Sequence, residues 1–165
     1  MPIGAVLLLA LLVRIMLFPV ATYGYDMNAF RSWAHLFNEH PLSAFYNADS
    51  LGTQPDHLPG DLLLYAGLGR SLGGDLIDSR LFPFAIKLIG ALADVGIGVL
   101  LWLAALKLTT PRRARIAMAC WLFNPAVIFI SAIWGQLDAL SLLLTLAGIV
   151  AMLHGRYLLC WTPLA

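Results

Sequence analysis

The chain has 165 residues, of which 61% are hydrophobic and 12% charged, with a formal net charge of +1. Ordinary soluble domains are about 45–50% apolar and about 25% charged, so this composition excludes that class and points to a polytopic helical membrane protein. The net charge by itself says nothing about nucleic acid, but no basic cluster with interleaved aromatics is present, so no nucleic-acid partner is expected.

The first apolar run predicts a membrane span over residues 3–20, with Pro19 near its end and Arg14 as its one charge. A cleaved signal peptide is disfavoured: Met1–Leu12 lacks Lys and Arg, Arg14 interrupts the run, and no A-x-A-like site follows. An intramembrane charge usually finds a partner; the alternative for Arg14 is to snorkel to the nearer surface.

Residues 21–82 form a long extramembrane segment. Phe30, Trp33, Ala34 and Phe37 recur at i, i+3, i+4, i+7 and predict a one-sided helix over 27–39, expected to lie in the membrane interface. Residues 59–72 are apolar but short for a core of about 30 Å, so a second interfacial or re-entrant helix is expected there, with Pro59 in its first turn.

A second span is expected over 83–106. Its Gly90, Asp94 and Gly98 are spaced by four and share a face that lets another helix come close. Asp94 then faces protein, with Arg14 or Lys87 as its partner. Arg14, Lys87 and Asp94 are accordingly read as structural polar groups within the membrane. A third span over 114–133 contains Asn124-Pro125, a kink site. After the turn Trp134-Gly135-Gln136-Leu137-Asp138, a fourth span covers 139–153. The expected fold is therefore an all-α transmembrane bundle of about four spanning helices, with interfacial helices in a long first outer loop. Cys120 and Cys160 lie in apolar segments without metal-ligand spacing and are expected to be buried thiols. The last residues, 157–165, start a new apolar segment, which suggests a truncated chain or one module of a larger protein.

Loop charge sets the orientation. Lys107, Arg112, Arg113 and Arg115 follow the second span and Arg156 follows the fourth. In the long segment Asp26, Glu39, Asp49, Asp56, Asp61, Asp75 and Asp78 outnumber Arg31, Arg70 and Arg80. The positive-inside rule puts the basic turns and the N-terminus in the cytoplasm, and the long segment and the Trp134–Asp138 turn on the outer face.

Three polar clusters are candidates for chemistry. Asp26 either caps the helix that follows it or acts as a general base at the membrane boundary. Asp56 and His57 are either part of a solvated turn or groups that bind or polarise a substrate. Asp138 caps the last helix and Trp134 joins an aromatic belt, or these two and Gln136 line a site on the outer face.

Three stretches together resemble the amino-terminal part of GT-C fold glycosyltransferases that use polyprenyl-phosphate sugars, the bacterial mannosyl- and glucosyltransferases in particular. Gly24-Tyr25-Asp26 through Trp33-Ala34 is similar to their first outer loop, with its acid and F-x-x-W-A-like helix. Asp56-His57-Leu58-Pro59 resembles a D-Y-P-P segment, departing from it at His57-Leu58. Asn124-Pro125 followed by Trp134 to Ala139 resembles an N-P…W-G-Q-x-D-A signature. The resemblance implies transfer of a hexose, mannose or glucose, from a polyprenyl-phosphate sugar to a glycan, lipid or protein acceptor on the outer face of a bacterial plasma membrane. Asp26 would be the catalytic base, and Asp56, His57, Trp134, Gln136 and Asp138 would line the site. Metal use is open, since some GT-C enzymes use a divalent ion and others none. Such enzymes have many more membrane helices, so a fragment of this length could be inactive alone. The rival readings are a transporter-like module, using Arg14, Lys87 and Asp94 as a polar path, and a non-catalytic membrane assembly subunit.

Overall fold

The computed structural model describes residues 2–41 and 59–156, and among these all regular structure is helical. The helices are α1 (Ile3–Leu17), α2 (Gly24–Glu39), α3 (Pro59–Leu72), α4 (Gly74–Asp78), α5 (Leu81–Leu108), α6 (Pro111–Leu122), α7 (Pro125–Ile128) and α8 (Asp138–Leu153). A π-helical segment, Phe129–Trp134, continues α7. The chain divides into two compact units, one of residues 1–21 and 86–165 and one of residues 22–85, with the division falling inside α5.

The second unit holds α2 to α4 and the first residues of α5. The apolar stripe of α2 is buried, with Phe30, Trp33, Ala34 and Phe37 all enclosed. It packs against α3, where Tyr65 stacks on Phe30 with ring centroids 5.0 Å apart and meets Trp33 edge-on at 5.4 Å. The stripe expected to face lipid is therefore covered by protein. The two helices cross at Ala34 and Gly69, where any Cβ on Gly69 would overlap the Ala34 carbonyl. The polar side of α2 ties down α4: His35 Nε2 lies 2.9 Å from Asp78 Oδ1, and Arg31 Nη2 donates to the Ser79 carbonyl at 3.2 Å.

The first unit holds α1, most of α5, α6, α7 with its π continuation, and α8. In α5, 28 residues span about 42 Å at 1.5 Å per residue, and this helix is long and apolar enough to cross a membrane. The helix pair Pro111–Leu122 and Pro125–Trp134 meets the same measure taken together, bent by 45°. Ile3–Leu17 and Asp138–Leu153 are apolar but shorter. Local sequence explains the bend. Thr110 caps α6, its Oγ1 accepting from Arg113 N at 3.4 Å, with Pro111 in the first turn. Asn124 restarts the helix by accepting from Ala126 N at 2.9 Å, again with Pro in the first turn. The expected span over 114–133 thus begins earlier and is two helices rather than one kinked one.

Contacts to α5 fix the directions. Lys87 reaches the end of α1 at Phe18 and, further along α5, Asp94 reaches Arg14, so α1 runs antiparallel to α5. Leu122 abuts Gly98 and Ser131 abuts Gly90, so the α6–π segment is also antiparallel to α5. Ala93 packs with Ala139, Gly96 with Leu143, and Leu103 lines one slot with Ala147 and Val150, so α8 runs parallel to α5. One end of this unit therefore carries the exit of α1 and the Trp134–Asp138 turn. The other carries the start of α1, Lys107, the basic start of α6 and the end of α8. Large apolar side chains lie exposed along it, among them Leu8, Leu12 and Met16 of α1, Leu92 of α5 and Leu142, Ile149 and Met152 of α8.

Candidate functional site

Two charged groups stand at the centre of the first unit. Arg14 and Asp94 are 0% and 1% exposed and pair at 3.1 Å. Arg14 Nη1 also donates to the carbonyls of Ala10 at 3.1 Å and Leu122 at 3.0 Å. Of the two expectations for Arg14, the structure takes pairing, not snorkelling. Lys87 does not compete for Asp94. Its ammonium donates to the Phe18 and Val20 carbonyls at 2.9 and 2.8 Å. These carbonyls lie at the C-terminal end of α1, where helical acceptors lack partners and the helix dipole favours a cation. The glycines that flank Asp94 act as expected: a Cβ on Gly90 would sit 3.2 Å from the Gln136 carbonyl, and one on Gly98 2.9 Å from Leu122.

The Trp134–Asp138 turn is built by the π segment. Gly135 adopts φ 88°, a left-handed conformation that other residues enter at a cost, and its N–H and that of Gln136 both donate to the Ile130 carbonyl at 2.9 and 3.1 Å. Trp134 packs edge-on against Phe129 at 5.9 Å. Leu137, not Asp138, is the N-cap of α8; Asp138 is the first helical residue, exposed and without a side-chain capping bond. The capping role considered for Asp138 is thus not the one it has. A π segment beside a polar turn is a common companion of functional sites.

Beside this turn lies a cavity of about 260 Å³ lined by Asp94, Trp121, Val127, Ile130, Ser131, Asp138, Ala139 and Leu142. Its walls are mainly apolar, with Asp94 and Ser131 buried and Asp138 exposed. Two residues with polar atoms, Trp121 and Ser131, have no place in the expectations from sequence. Trp121 Nε1 donates to the Asp94 carbonyl at 3.1 Å. Ser131 bonds back to the Val127 carbonyl at 3.1 Å. The only signal for Ser131 is its spacing, seven residues before Asp138, as a hydroxyl in an otherwise apolar run.

Asp26 belongs to the other unit. It lies in the first turn of α2, half-buried, while Tyr23 is the N-cap and makes no side-chain capping bond. The simple cap reading of Asp26 therefore does not hold; an acid one turn inside still interacts favourably with the helix N-terminus. Asp56 and His57 lie outside the described residues. Among the described residues no group of three or more His, Cys, Asp or Glu could hold a metal ion. Cys120, expected to be buried, is exposed, because it lies on a face of α6 away from the α1 and α5 packing; Cys160 is outside the described residues.

Comparison with family models, with curated proteins and with solved structures gives no match.

Proposed function

We propose that the chain is a multi-pass membrane module of a GT-C-type hexosyltransferase, using a polyprenyl-phosphate sugar as donor. The observation that carries the reading is the run from Asn124 to Asp138. Its helix break, π segment and left-handed Gly135 deliver Gln136 and Asp138 at one end of the first unit, beside a cavity with a second carboxylate. These are the residues of the N-P…W-G-Q-x-D-A pattern.

A bilayer reading is supported by the length of α5 and by the exposed apolar side chains along α1 and α8. In this reading α1, α5, the bent α6–π pair and α8 each cross, α1 and α8 being the shorter. All of Lys107, Arg112, Arg113, Arg115 and Arg156 lie at one end of the unit, which the positive-inside rule makes cytoplasmic. The N-terminus is then cytoplasmic too, and the Trp134–Asp138 turn and the exit of α1 are on the outer side. The chain reaches Asp26 six residues after Val20.

The proposed step is a single displacement. Asp26 accepts the proton of an acceptor hydroxyl as that oxygen attacks the anomeric carbon. The bond from this carbon to the phosphate oxygen breaks, and polyprenyl phosphate leaves with the electron pair, giving inversion. Gln136 and Asp138 have the donors and acceptors to hold sugar hydroxyls, and Trp134 has an apolar face for a ring. The engagement of Arg14, Asp94 and Lys87 with one another's helices favours a structural role for this trio over a polar path for transport.

The test is transfer from a labelled polyprenyl-phosphate sugar in membranes expressing the complete reading frame. General acid–base contributions are typically about 10²–10⁴-fold, so Asp26→Asn should lower turnover by at least about 10²-fold while protein level in the membrane stays constant. Unchanged turnover removes the base assignment. Absence of transfer by the unsubstituted protein, with movement of a solute across vesicles instead, favours the transporter reading.

A further inference from the structure

We propose that a slot between α5 and α8, at the basic end of the first unit, binds an anionic phospholipid. The slot has a volume of about 370 Å³ and is lined by Leu103, Ala147, Val150, Ala151, His154 and Arg156. That is within the range of small-molecule sites, about 300–1,000 Å³. Its composition is graded: four apolar residues form the walls, and both basic residues fall at the end of α8.

The cationic end is fixed by the backbone. Gly155, at φ 71°, reverses the chain after α8. Arg156 N donates to the Ala151 carbonyl at 2.9 Å and Gly155 N to that of Met152 at 2.9 Å. This is the paired-bond helix stop that uses a left-handed glycine. It holds the Arg156 backbone against the last turn of α8, next to the slot. His154 is held as well, its Nδ1 donating to the Val150 carbonyl at 2.9 Å. A second cation comes from α5. Lys107 follows Leu103 by four residues, so it shares the face of α5 that lines the slot, one turn nearer the helix end. Because α5 and α8 are parallel, Lys107 and Arg156 flank the same mouth. Among the described residues neither has an ion-pair partner, and the slot lining contains no acid.

An apolar slot that ends in two unneutralised cations is complementary to an anionic amphiphile. A free phosphate would satisfy the cations and leave the half-buried Leu103, Ala147 and Ala151 uncovered; a zwitterionic lipid would cover the slot with less charge complementarity. One acyl chain lies along the slot while the phosphodiester meets Arg156 and Lys107, whose methylene stems cover the chain's first carbons.

The experiment is native mass spectrometry of the full chain in a neutral detergent, titrated separately with phosphatidylglycerol, phosphatidylcholine and inorganic phosphate. The expected result is tighter binding of phosphatidylglycerol than of phosphatidylcholine, by about fivefold for each cation engaged. Lys107→Gln with Arg156→Gln should erase the preference, and Lys107→Arg with Arg156→Lys should keep it. Ala147→Phe, which fills the slot and leaves both cations, should weaken binding of both lipids. Equal binding of the two lipids by the unsubstituted chain overturns the proposal without need of any variant. So does a preference that survives the double Gln substitution, or inorganic phosphate displacing the lipid as well as phosphatidylglycerol does.

Discussion

Replacing Arg14 by Met removes one side chain and strands two buried groups. Asp94 is 1% exposed and has its ion pair with Arg14 Nε at 3.1 Å. The Leu122 carbonyl, which accepts from Nη1 at 3.0 Å, has no helical donor to fall back on, because the N–H that would reach it in an unbroken helix, that of Ala126, is bonded to Asn124 Oδ1. Breaking a buried ion pair from one side costs about 3–5 kcal/mol, and a stranded carbonyl adds about 1–3 kcal/mol. Part of the two overlaps, since relaxation around a vacated site serves both groups, so Arg14→Met should destabilise by about 4–6 kcal/mol. At about 2–4 °C per kcal/mol for a chain of this size, thermal unfolding in detergent should fall by at least about 8 °C. The decisive measurement is the double substitution Arg14→Met with Asp94→Leu. Swapping a buried pair for apolar groups is often neutral or stabilising, so the double variant should lose only what the Leu122 carbonyl costs, about 1–3 kcal/mol. It should be more stable than Arg14→Met alone. A double variant whose loss equals or exceeds the sum of the two single losses refutes the reasoning, as does a single variant that loses under about 1 kcal/mol.

Lys87→Met should expose the C-terminal end of α1, because the Phe18 and Val20 carbonyls lose their donor; a loss of about 1–3 kcal/mol should come with faster proteolysis between Val20 and Gly24. Gly69→Ala puts a Cβ into the Ala34 carbonyl and should cost about 1–3 kcal/mol, read as an earlier loss of the fluorescence of Trp33, whose aromatic cluster lies at that crossing. At Gly135, with φ 88°, Ala should cost about 1–2 kcal/mol and Asn clearly less, since Asn enters the left-handed region more readily; equal stability of the two variants would contradict the turn geometry.

The positions of the helices were largely legible, because each follows from a local signal. The apolar period of α2 and the helix expected over 59–72 reappear as Gly24–Glu39 and Pro59–Leu72. The glycine spacing around Asp94 anticipated close packing because it depends only on side-chain size at i, i+4. What was less legible depends on who faces whom. The stripe Phe30, Trp33, Ala34, Phe37 reads the same whether it meets lipid or a neighbouring helix, and only the position of Tyr65 on α3 decides it. Asp26 and Asp138 lie three residues and one residue inside the N-caps Tyr23 and Leu137, because an acid serves equally well at the cap or in the first turn and the sequence pattern does not separate them. Trp121 and Ser131 escaped notice because an indole and a hydroxyl in an apolar run carry no pattern until the fold sets them around one cavity.

The buried arginine and the broken helix explain each other. A break in an apolar setting frees backbone carbonyls with no water to receive them, and Asn124 with Pro125 makes such a break by redirecting the N–H of Ala126 to a side chain. Arg14 supplies the missing donor to Leu122 from another helix, and holds that position because Asp94 neutralises it and the Ala10 carbonyl takes a further bond. Neither half is stable by itself: a lone Arg14 would be a costly buried charge, and an unserved break would leave an orphaned acceptor. Together they let the chain turn by 45° within the unit. That turn sets the line of the π segment, and so the place where Gly135 reverses the chain and Asp138 begins α8 beside the cavity. The charged centre is therefore a positioning device for the polar turn, acting through the backbone of α6 and α7. In the proposed enzyme, Arg14→Met should impair transfer and stability together. The Arg14→Met, Asp94→Leu double variant should regain stability without regaining full activity, since its Leu122 carbonyl is still unserved and the bend is no longer held.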